Sequence, residues 1–157
     1  MDDPIDVVAL TRSLSQRPRG KACIVFTHDY SGQKAWAAEL ARQSGADHLH
    51  LLDLFAGDAK FSESLGTFSV SDFFRLLAER DQNPILIVSG LEFLKAAWSA
   101  QSGIPEAFAR HVEMWDKKPA LLFVIQHDRF LAAYAFDRFK QHRFTADQRD
   151  TLALTQG

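Results

Sequence analysis

Three uninterrupted apolar runs constrain this chain more than any other feature. Ala22-Cys23-Ile24-Val25-Phe26, Ile85-Leu86-Ile87-Val88 and Ala120-Leu121-Leu122-Phe123-Val124-Ile125 contain no polar residue. A strand with one face in water alternates apolar and polar residues, so a continuous run implies burial on both faces. Segments of helical spacing lie between the runs, among them 32–43, with Trp36 and Leu40 on one face, and Pro105–Trp115. Strands buried on both sides and alternating with helices predict a parallel sheet covered by helices on each face. The expected architecture is an α/β three-layer sandwich with a mostly parallel sheet of about five strands. The 157 residues suit a single domain with a substantial core, residues 1–20 forming an N-terminal helix and connector.

Local signals set the expected boundaries. Apolar residues at 5, 7, 8, 10 and 14 predict a short amphipathic helix over Ile5–Ser15, and Arg17-Pro18-Arg19-Gly20 then interrupts the chain. Ser44-Gly45 supplies a helix stop. His48–Phe55 is the next expected strand, followed by a polar loop through Gly57 and Gly66. Ser69-Val70-Ser71-Asp72 reads as a helix cap ahead of Phe73, Phe74, Leu76 and Leu77. Pro105 suits the first turn of a helix carrying Phe108, Val112 and Trp115. Phe130–Phe139 is expected to be helical, His142–Thr145 extended, and a last short element includes Leu152 and Leu154.

A net charge of -2 gives no basic footprint for nucleic acid. The basic clusters Arg17-Pro18-Arg19-Gly20-Lys21 and Lys140-Gln141-His142-Arg143 are short, and read as solvated ends of elements. The single cysteine, Cys23, excludes an internal disulfide and a multi-cysteine metal site. The start, Met1-Asp2-Asp3-Pro4, is acidic, and no apolar run approaches the roughly 18 residues of a membrane span, so a cytoplasmic, soluble protein is expected.

Two segments carry the functional signal. Thr27-His28-Asp29-Tyr30-Ser31-Gly32-Gln33-Lys34-Ala35 follows the first apolar run and opens a helix. A phosphate loop, G-x-x-x-x-G-K-[ST], has this placement: its glycines admit backbone amides to the phosphates, lysine neutralises charge and the hydroxyl holds magnesium. Aligned on Lys34, the loop has His28 and Gln33 at the glycine positions and Ala35 at the hydroxyl position; aligned on Gly32, it has Thr27 at the first glycine and Gln33 at the lysine. The second segment is the end of the Ile85–Val88 run, where a magnesium-binding Asp would stand; Ser89 stands there, with Glu92 three residues on. Gln126 ends the following strand, where a polar residue senses the terminal phosphate.

On these residues the chain resembles P-loop NTPases of the AAA+ and RecA-like class over about Lys21 to Leu154, in element order. The resemblance implies a sheet in which the strands at 22–27, 85–88 and 120–125 lie centrally. It also implies ATP and Mg2+ as cofactors, with Ser31, Gly32, Gln33, Lys34 and Ala35 at the nucleotide and Glu92 and Gln126 in catalytic positions. Small stand-alone P-loop proteins of this size occur in bacterial phage-defence and mobile-element operons. With the glycines, the hydroxyl and the Asp replaced, the expected function is a non-catalytic protein-interaction or assembly subunit, its partner another protein or a second copy. An ATP-binding switch or ATPase completed by a partner subunit, with an arginine such as Arg129 or Arg138 presented to it, is the alternative. A nucleic-acid-binding accessory protein using the two basic clusters is the third.

Other constellations carry less. His48 and His50 at strand spacing share a face, with Asp47 and Asp53 nearby, but a metal site needs a third ligand. His28, Asp29 and Ser31 have the residue types of a nucleophilic triad, yet adjacency in sequence does not build a relay. Trp36, Trp98, Trp115 and the 13 phenylalanines are expected to fill the core. Residues 93–98 and 130–136 place large apolar groups near the strand ends, where an exposed patch would mark a partner.

Overall fold

A computed structural model describes residues 7–16, 21–27, 33–64, 69–80, 82–90, 104–115, 118–126 and 143–145. In chain order they form α1 (Val7–Leu14), β1 (Ala22–Thr27), α2 (Gln33–Ser44), β2 (Asp47–His50), α3 (Leu51–Gly57) and α4 (Ala59–Ser64). There follow α5 (Val70–Ala78), β3 (Ile85–Ser89), α6 (Ile104–Met114), β4 (Ala120–Gln126) and β5 (Arg143–Thr145). The sheet order is β2-β3-β4-β1-β5, and every pairing is parallel. Leu122 of β4 lies between Cys23 of β1 and Ile87 of β3, so the three apolar runs are adjacent.

Side-chain alternation along these strands divides the interior in two. Leu86, Val88, Leu121 and Phe123 point to one face, where Phe55 of α3, Phe73, Phe74 and Leu77 of α5 and Phe108 and Val112 of α6 cover them. Ile85, Ile87, Leu122 and Val124 point to the other, under Val8 and Leu14 of α1 and Trp36, Ala37 and Leu40 of α2. Each Val, Leu, Ile or Phe among them contributes about 1.5–3 kcal/mol when fully removed from water. The α/β class, with a parallel sheet between helices, is thus as expected. The body of the sheet is β3-β4-β1, whereas the outer strands β2 and β5 span only 4 and 3 residues, short of five full strands.

Two helix ends form as their residues dictate. Gly45 closes α2 at φ 78, with its own N–H and that of Ala46 both donating to the Ala41 carbonyl at 2.9 and 3.1 Å. At α5, Ser69 Oγ accepts from the Asp72 N–H at 3.0 Å while the Asp72 carboxylate accepts from the Ser69 N–H at 3.1 Å, a reciprocal capping box. Trp36 and Trp115 are core residues, and Trp115 Nε1 donates to the Pro119 carbonyl at 2.8 Å.

One segment departs from expectation. His48–Phe55 is a strand only as far as His50, where β2 ends, and α3 begins at Leu51. The residues that decide it are Leu51, Leu54 and Phe55, whose i, i+3, i+4 spacing brings them to one side, facing the aromatic core. Residues 59–64, placed in a loop by their polarity, form α4. Trp98 and the segments 93–98, 130–139 and 152–154 lie outside the described residues.

Candidate functional site

The carboxyl ends of β2 and β3 meet beside the start of α2, the end of a parallel sheet where α/β proteins place their ligands. The β2–β3 register sets His50 opposite Ser89 and His48 opposite Ile87. Alternation turns His48, His50 and Ser89 to one face, the same one that Ile85 and Ile87 present to α2. His48 Nε2 lies 2.7 Å from Ser89 Oγ and His50 Nδ1 lies 2.8 Å from it, so both imidazoles converge on one hydroxyl. Ser89 has a single proton to donate, so at least one of the two rings must itself be a donor. The hydroxyl is fully buried. Gly90, at φ 69, follows, and the His50 ring lies against its Cα.

Lys34, in the first turn of α2, is ion-paired with Asp53 of α3. Both side chains are more than half exposed, so this pair adds little to stability. The Lys34 ammonium, hydrogen-bonded to Asp53, holds that carboxyl below its ordinary range. Burial pushes the His48 imidazole down to about 4; the charges of His50 and Lys34 push the same way, and Asp53 opposes them. His48 is therefore neutral at physiological pH.

That depression gives the fold an acid sensitivity with a defined sign. Between pH 6.5, where an unfolded imidazole titrates, and about 4, the unfolded chain binds the extra proton, so stability rises with pH through this window. Its contribution is complete above the upper limit and is lost as pH falls through the lower one. Acidification across the window should cost on the order of 1–2 kcal/mol, discounted from the full shift because the ring is only half-buried. Carboxylates enter lower: Arg42 holds Glu39 down to about 2, and the Ser69 cap holds Asp72 below its ordinary range. Thermal melts across pH should show the upper slope in the parent chain and not in His48→Gln; equal slopes would place the acid sensitivity elsewhere.

The expected site residues distribute as follows. Gln33, Lys34 and Ala35 open α2 directly after the segment that follows β1, and Gln126 ends β4 in register with Thr27. Ser31, Gly32, Glu92, the triad types His28 and Asp29, and the arginines Arg129 and Arg138 lie outside the described residues, as does most of each basic cluster. Among the described residues no group of three His, Cys, Asp or Glu could hold a metal. The place where the resemblance would put a magnesium carboxylate does not fit that ion: a neutral hydroxyl stands at the end of β3, buried and held by two imidazoles. A buried Ser89 is equally closed to substrate as a nucleophile.

Two features were not foreseen from the sequence. Ser89 reads there only as a missing charge, although His-x-His on one strand and a lone polar residue ending a neighbouring apolar strand were the available signals. Asp53 reads as a companion of the histidines, not as the partner of Lys34. Among the described residues, no helix is long and apolar enough to cross a membrane. No protein-family model, curated protein or solved structure matches this chain.

Proposed function

We propose that this chain is a P-loop NTPase-like domain that acts by binding another protein, as an interaction or assembly subunit, and does not hydrolyse ATP. The observation that carries this reading is Ser89. It ends the buried apolar strand β3, where hydrolysis needs a carboxylate for magnesium, and its hydroxyl is buried between His48 and His50. Two further observations support it. The strands β1, β4 and β3 are adjacent at the centre of a parallel sheet, as the resemblance implies. Lys34, which the resemblance assigns to the phosphate, is paired with Asp53.

Isothermal titration of ATP with magnesium into the chain and into Lys34→Ala tests the reading. No heat from either protein is the expected result. Micromolar binding that disappears in Lys34→Ala would sink it, and would make the chain an ATP-binding switch completed by a partner subunit.

A further inference from the structure

On the opposite face of the sheet from the histidines, α5 and α6 lie side by side over the aromatic core and leave a groove of about 430 Å³ between them. Its volume falls in the range of ligand clefts, about 300–1,000 Å³. Phe74 and Trp115 form the floor, with ring centroids 5.7 Å apart, and His111 stacks on Phe74 at 4.7 Å and 12°. Met114 forms part of the wall with 70% of its surface exposed, and Leu52 is the other large exposed apolar residue among those described. Each helix contributes one arginine to the lining, Arg75 from α5 and Arg110 from α6, and among the described residues no carboxylate lines the groove. Among the described residues, Arg75 has one ion-pair partner, Asp72, at a long 3.5 Å, on a side chain that is 72% exposed.

We infer that this groove is the docking site for an acidic segment of a partner protein, an apolar side chain seated on Phe74 and Trp115 with flanking carboxylates on Arg75 and Arg110. The inference rests on the reading of the chain as a partner-binding domain, and gives that reading a surface and a partner chemistry. The groove calls for an apolar anchor, since water held against the exposed Met114 beside the edges of Phe74 and Trp115 is released on burial. The rim calls for carboxylates, which a guanidinium binds through two parallel hydrogen bonds. Methionine adapts its shape to varied anchors, and Trp and Arg are the residues that most often dominate binding energy at an interface. A nucleic acid suits the groove less well: the chain's net charge is -2, and phosphate binding draws on a broad positive field.

The test is selection from a random peptide library displayed on phage against the intact chain, followed by anisotropy titration of one labelled peptide. Expected are peptides with Asp or Glu flanking a large apolar residue, with affinity that weakens as salt rises. The paired substitution Arg75→Glu and Arg110→Glu should weaken binding at least about 10-fold, a change of about 1.4 kcal/mol. Met114→Ala should weaken it several-fold, whereas Leu52→Ala on α3, away from the groove, should leave it unchanged. The arginines and Met114 are exposed, so circular dichroism melts should match the parent and separate lost binding from lost fold. Recovery of no peptide, of peptides without acidic residues, or of binding indifferent to the groove substitutions would overturn the inference, as would displacement of the peptide by a short DNA duplex. The ATP titration probes the start of α2 and this one the α5–α6 groove. Lys34-dependent ATP binding together with groove-dependent peptide binding would remove the non-catalytic reading and leave the docking site standing.

Discussion

Phe73→Ala should destabilise the fold by about 3–5 kcal/mol, the largest single effect expected of a side chain here. Phe73 is fully buried on α5, with its ring centroid 5.3 Å from that of Phe74, 6.4 Å from Phe108 and 6.1 Å from Phe123. It joins two helices to the centre of the sheet, so removing it takes an apolar ring from the core and opens a cavity among groups held by three separate elements. The loss is a large part of the roughly 5–15 kcal/mol that stabilises a typical domain. Phe73→Leu, which retains much of the volume, should cost markedly less. Urea unfolding followed by tryptophan fluorescence measures both. A midpoint in Phe73→Ala close to the parent's would mean that the aromatic layer is not packed against β4 as described.

Gly90→Ala should cost about 2–4 kcal/mol, for two reasons that a second variant separates. At φ 69 an L-residue is strained by about 1–2 kcal/mol. A Cβ at this position would also stand 2.5 Å from His50 Cε1 and 2.7 Å from His50 Nδ1, so the ring must leave Ser89. Loss of that buried hydrogen bond adds about 1–2 kcal/mol. Gly45 has a similar φ of 78 and nothing within 4 Å of its would-be Cβ, so Gly45→Ala carries the strain alone. The difference between the two losses, read from denaturant midpoints, measures how firmly His50 is held on Ser89. Equal losses would mean that the ring does not lie against the glycine.

These two variants probe parts of the chain that differ in how far the sequence foretells them. The layer around Phe73 was legible because burial leaves a periodic mark. Alternate residues of Ile85–Val88 and Ala120–Ile125 must all be apolar if both faces are covered, and Phe73, Phe74 and Leu77 fall on one side of a helix. The α5 cap was legible for a similar reason: Ser69 and Asp72 satisfy each other's backbone amides within four consecutive residues. The end of β2 was misread because a chain leaving a strand straight into a helix has no glycine or proline to mark it; Leu51 to Phe55 suits either state, and packing against the core decides.

The site around Ser89 was partly legible. Its place at the end of a buried strand and the shared face of His48 and His50 both follow from strand periodicity. The convergence of the two imidazoles on one hydroxyl does not, because it depends on β2 pairing with β3 in a register that sets His50 opposite Ser89. The same holds for Lys34 and Asp53, brought together by helices whose separation in sequence says nothing about their distance. By itself the sequence determined the α/β class, the buried strands, the main helices and their caps, since these depend on the periodicity and backbone chemistry of neighbouring residues. Only the tertiary structure decided the strand order, the capture of Ser89 by two histidines and the groove with an arginine on each side. Those arise from contacts between distant segments, whose geometry follows from packing the whole chain.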